Sequence, residues 1–105
     1  MRALFAVLSL AAAVEQVIPV VAKKFEFSPA TIELKAGVPV VLELTTADRK
    51  HGFLVPDLHL DEEIVPGRVT RVRVVPDRPG TYPFHCSVFC GGGHEEMTGV
   101  IVVRP

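Results

Sequence analysis

Short runs that alternate apolar and polar residues, punctuated along the chain by Gly and Pro, constrain this chain more than any other feature. Thr31-Ile32-Glu33-Leu34-Lys35 is one such run, and Thr70-Arg71-Val72-Arg73-Val74 is another. In a third, Val40, Leu42 and Leu44 share one face while Glu43 and Thr45 take the other. A period of two sends successive side chains to opposite faces of an extended strand, so each run reads as a half-buried strand. Val17–Ala22 starts the domain, with Phe25, Phe27 and Ser28-Pro29 closing that first edge. Tyr82, Phe84 and Cys86 share a face of a later strand, and Gly99–Val103 is the last. Ala36-Gly37 and Pro76-Asp77-Arg78-Pro79-Gly80 are turn signals. A chain of 105 residues has length for one core. With no amphipathic-helix pattern, strands at this spacing predict an all-β domain, a Greek-key β-sandwich or barrel. The least regular stretch, Val55–Gly67 with Asp61, Glu62 and Glu63, is expected to be a surface excursion between strands with a solvated acidic face.

Residues 1–14 stand apart. Arg2, the apolar run Leu4–Leu10 and the small residues Ala11, Ala12 and Ala13 have the order of a secretory signal peptide, leaving 15–105 as the domain. A membrane span is not expected, since Glu15 and Gln16 interrupt the run well short of about 20 residues. The expected location is periplasmic or otherwise exported. Eleven Lys and Arg against twelve Asp and Glu nearly cancel, which argues against a nucleic-acid partner.

Chemistry concentrates in Cys86-Ser87-Val88-Phe89-Cys90-Gly91-Gly92-Gly93-His94-Glu95-Glu96-Met97. Two thiols, an imidazole and a thioether lie within one loop, and His51 sits upstream, read as the end of the Val40–Thr46 strand. Soft sulfur combined with imidazole suits copper, and a thioether is a poor zinc ligand. Gly91, Gly92 and Gly93 permit a tight fold of the loop onto one centre. One cysteine with two histidines and Met97 would complete a mononuclear site. The second cysteine allows two thiolates to bridge two copper ions, with His51 and His94 each capping one, and Met97 and a backbone carbonyl as weak outer ligands. Such a centre spreads an electron over two metals, so that little rearranges on reduction. A Cys86–Cys90 disulfide is the competing reading, although it closes a very short loop and would stabilise little. No nucleophile stands in a triad setting, so no enzyme is expected.

The spacing Cys-x3-Cys-x3-His-x2-Met resembles the CuA motif of cytochrome c oxidase subunit II and of nitrous oxide reductase. Asp48 three residues before His51-Gly52-Phe53, then Val65-Pro66-Gly67 and Pro79-Gly80-Thr81-Tyr82, extend the likeness over nearly the whole chain after residue 14. The resemblance implies a cupredoxin-type sandwich. It also implies that Cys86 and Cys90 bridge, that His51 and His94 are terminal ligands, and that Met97 and the Val88 carbonyl are the weak ones. Val88 replaces a family glutamate that helps bind magnesium, and the family's tryptophan-rich stretch has no counterpart here, where Phe25 and Phe27 stand nearby instead. The expected function is single-electron transfer with a redox partner such as a c-type cytochrome or a terminal oxidase or reductase. Storage or delivery of copper for an extracytoplasmic enzyme is the alternative. His85, next to Cys86, is expected on the opposite face, and His59 has no assigned role. Glu95 and Glu96 read as a solvated rim, and Asp48 as a turn residue or an orienting partner for a ligand imidazole.

Overall fold

The computed structural model describes residues 15–89 and 91–105, so the segment read as a signal peptide and Cys90 lie outside the described residues. Nine strands are described: β1 (Gln16–Lys23), β2 (Glu26–Ser28), β3 (Thr31–Lys35), β4 (Val40–Thr46), β5 (His51–Val55), β6 (Leu60–Ile64), β7 (Thr70–Val74), β8 (Gly80–His85) and β9 (Thr98–Arg104). The described helical structure consists of two 3₁₀ turns, Pro56–Leu58 and His94–Glu96. The strands form two mixed sheets, ordered β2-β1-β4-β7 and β3-β9-β8-β5-β6. Consecutive strands repeatedly change sheet, and the parallel pairs β1–β4 and β3–β9 tie distant parts of the chain together. The all-β sandwich expected from the alternation is the fold.

The inward residues of that alternation make the core. Leu42 and Leu44 of β4 are fully buried, as are Ile32 of β3 and Ile101 of β9, with Val72 and Val74 closing the β7 side. Phe27, Phe53 and Phe84 form a ring cluster from three strands, with centroids 5.9, 5.1 and 4.7 Å apart. The two edge-on pairs, Phe27 with Phe53 and Phe27 with Phe84, each add about 0.5–1.5 kcal/mol beyond the area they bury. Arg71 and Arg73 point outward and pair with Glu43 and Glu15, exposed contacts that contribute little stability.

Two expectations are corrected. The Val55–Gly67 stretch is not wholly an excursion, because Leu60–Ile64 is a strand paired antiparallel to β5, with Phe53 opposite Glu62. Its weak alternation was hidden by acidic residues: Ile64 is buried, while Asp61 and Glu63 are exposed, as a solvated face requires. His51 does not end the preceding strand. Residues 47–50 turn the chain from one sheet to the other, and His51 begins β5. That change positions the site. β5 and β8 run antiparallel with Leu54 opposite His85, and three more residues in the same register bring His51 level with Val88.

Candidate metal centre

Cys86 directly follows β8, and its side chain is buried. Among the described residues, three groups approach its sulfur. The Gly52 backbone N–H donates to Sγ at 3.3 Å, the thiol donates to the Val88 carbonyl at 3.1 Å, and His51 Nδ1 lies 3.8 Å away. Thus a thiol, an imidazole and a carbonyl from the expected set meet in one buried spot. His51 is fully buried, the one buried polar or charged side chain among the described residues.

The other edge of that imidazole is held by Asp48, whose Oδ1 lies 2.8 Å from Nε2. Asp48 also accepts from the backbone N–H groups of Lys24 at 2.8 Å and Arg49 at 2.6 Å, and Thr46 Oγ1 donates to the Arg49 carbonyl. Partial burial works against ionisation of the Asp48 carboxyl. The Lys24 N–H, the His51 ring and the Arg49 N–H together outweigh it and hold the group well below the usual carboxylate range. An ionised carboxylate can only accept, so Nε2 donates its proton to Asp48 and Nδ1 is the ring nitrogen that faces Cys86. Asp48 therefore fixes the turn and holds the His51 ring in place.

The loop beyond Cys86 closes on itself. The Cys86 N–H donates to the Met97 carbonyl at 3.1 Å, and the Met97 N–H to the His94 carbonyl at 3.2 Å. Met97 is fully buried and His94 half-buried. Cys86 and His94 line the same cleft of about 500 Å3, with His85 and Glu95 also on its walls. The Phe25 ring rests against the loop glycines, since a Cβ on Gly93 would lie 2.6 Å from it and one on Gly91 3.0 Å. Gly91 also has φ of +139°, a conformation that disfavours side chains. Phe89, largely exposed, packs beside His94 with ring centroids 5.7 Å apart.

Cys90, the second expected thiolate, lies outside the described residues. Among the described residues no group of three His, Cys, Asp or Glu side chains is arranged to hold a metal; the remaining donors here are a thioether and a carbonyl. A buried thiol, an oriented imidazole and a buried thioether form a soft donor set that fits copper. His85 is exposed but lines the same cleft as Cys86 and His94, rather than turning wholly away from them as expected, and His59 is exposed at the end of the Pro56–Leu58 turn. Sequence reasoning missed Gly52 and the seat of Phe25. The adjacency of Gly52 to His51 was the available signal for the first, and the glycine triplet for the second.

A cupredoxin-like domain family matches residues 1–103. The chain is 40% identical over 85 residues, 81% of its length, to two sequences of cytochrome c oxidase subunit 2 from Thermus thermophilus, and spans 63% and 51% of their lengths. A heme-copper terminal oxidase dimer contains a chain of similar structure, with TM-score 0.77 and 27% identity over 86% of this chain and 65% of that one. The periplasmic domain of cytochrome oxidase subunit II from Bradyrhizobium japonicum matches in fold, with TM-score 0.77 at 18% identity, covering 84% and 83% of the two chains. Among the described residues no helix is long and apolar enough to cross a membrane.

Proposed function

This chain belongs to the cupredoxin-like domain family, and from that membership we propose that it is a copper-binding electron-transfer protein with a binuclear, thiolate-bridged centre working outside the cytoplasm. The observation that carries the reading is the convergence of His51 Nδ1 and the Val88 carbonyl on the buried Cys86 sulfur. Cys86 and Cys90 are the bridging thiolates, His51 and His94 the terminal ligands, and Met97 and the Val88 carbonyl the weak ligands. Kinship with subunit II of cytochrome c oxidase supports this assignment. When bound, copper supplies one-electron oxidation and reduction.

The protein's contribution is to hold the donors still. Asp48 fixes the His51 ring and its tautomer, the closed Cys86–Met97 loop restricts His94 and Met97, and the surrounding core excludes water from the sulfur. Ligands already in place need little movement when charge changes, which suits electron transfer better than substrate turnover. The partner is a redox protein such as a c-type cytochrome, or a terminal oxidase or reductase. An exported location is proposed on the sequence of residues 1–14, which has the order of a signal peptide.

Electron paramagnetic resonance on the copper-loaded protein, with copper counted per chain, tests the proposal. A seven-line hyperfine pattern with two coppers is expected. A four-line pattern with one copper would overturn the binuclear reading.

A further inference from the structure

We propose that Gly52 is a positioning residue of the metal centre, required because β5 must approach the ligand loop more closely than any side chain allows. The inference rests on the copper-centre reading above. A glycine inside a strand ordinarily costs about 0.5–1 kcal/mol relative to alanine and marks a place where another backbone comes close. Gly52 is the second residue of β5, is buried, and has no positive φ, so conformational freedom does not account for it.

Space does. A Cβ at this position would collide with the Ser87 hydroxyl, and would lie 2.9 Å from the Ser87 backbone nitrogen and 3.1 Å from that of Val88. The hydroxyl could swing aside, but the two backbone nitrogens could not without shifting the segment that carries Cys86 and the Val88 carbonyl. The same approach lets the Gly52 N–H reach the Cys86 sulfur at 3.3 Å. A hydrogen bond donated to a thiolate stabilises its charge, and its length is set by how closely the two backbones meet. Gly52 therefore governs two things at once, the charge stabilisation on the sulfur and the distance of the Val88 carbonyl from it. Neighbouring His51 depends on its side chain, whereas Gly52 acts by having none.

The experiment compares wild type, Gly52→Ala, Ser87→Gly and the double variant, all copper-loaded, by chelator competition, hyperfine pattern and reduction potential. Gly52→Ala is expected to lose about tenfold or more in copper affinity, the range for groups that orient metal ligands, with an altered hyperfine splitting and a shifted potential. Ser87→Gly is expected to behave as wild type, and the double variant as Gly52→Ala. Rescue by Ser87→Gly would show that only the hydroxyl is in the way and would overturn the proposal, as would a Gly52→Ala protein unchanged in all three readouts. If Gly52→Ala does not fold, hydrogen exchange at the Gly52 amide of the wild-type protein decides: slow exchange supports the N–H to sulfur bond, and exchange at the rate of an unprotected amide overturns it. Should the wild type bind no copper, the copper reading fails by itself. The steric claim is then decided on metal-free protein, where Gly52→Ala must move the Ser87 and Val88 amide resonances or be rejected.

Discussion

Asp48 and His51 form a linked pair in which one carboxylate oxygen lies 2.8 Å from Nε2 while the opposite ring nitrogen faces the Cys86 sulfur at 3.8 Å. The same carboxylate ties down the Lys24 backbone, so the turn that carries Phe25 and the imidazole that faces the thiol share one anchor. Replacing Asp48 by Ala is expected to weaken copper binding by about 10–100-fold, the usual cost of losing a group that orients a ligand. Asp48→Asn keeps an acceptor for Nε2 and should fall between the two. Competition against a chelator of known affinity measures both.

The two cysteines should respond to substitution as partners. Cys90→Ser is expected to convert a two-copper protein into one that holds a single copper with a four-line pattern, and Cys86→Ser to abolish the centre, because Cys86 is the sulfur on which His51, Val88 and Gly52 converge. An unchanged spectrum in Cys90→Ser would refute bridging.

Met97→Leu separates packing from ligation. Met97 is fully buried, and a swap of similar volume costs under about 1.5 kcal/mol, so thermal unfolding should change little. Both coppers should remain, while voltammetry should show a shifted potential. An unaltered potential would make Met97 a core residue only.

The seat of Phe25 makes a prediction that needs no metal. Gly93→Ala places a methyl group 2.6 Å from the ring and should destabilise the metal-free chain. Adding Phe25→Ala removes the obstacle, so the double variant should be less destabilised than the sum of the single changes. Denaturant unfolding of the four proteins gives the coupling.

Phe53→Ala tests the core beneath the site. Phe53 is fully buried between Phe27 and Phe84, and truncating a buried phenylalanine costs about 3–5 kcal/mol. The midpoint of urea unfolding should fall accordingly.

The alternation in β3, β4 and β7 determined the fold class by itself, because a buried face every second residue is satisfied by a sandwich and by little else. The spacing from Cys86 to Met97 likewise marked the loop proposed to hold the metal, since those donors are close in sequence and must be close in space. Other features depend on residues far apart in the chain. His51 belongs to β5 because residues 47–50 cross between sheets, a turn held by the hydrogen bonds of Asp48 and Thr46. β6 became a strand by pairing with β5, which supplied the hydrogen-bonding partner its acidic sequence did not advertise. The need for glycine at position 52 arises only where β5 meets Ser87 and Val88, and the need at position 93 only where Phe25 arrives. Local spacing reports which donors a chain owns; only the antiparallel register of β5 and β8 decides how closely they meet, because that distance is set by backbones separated by more than thirty residues.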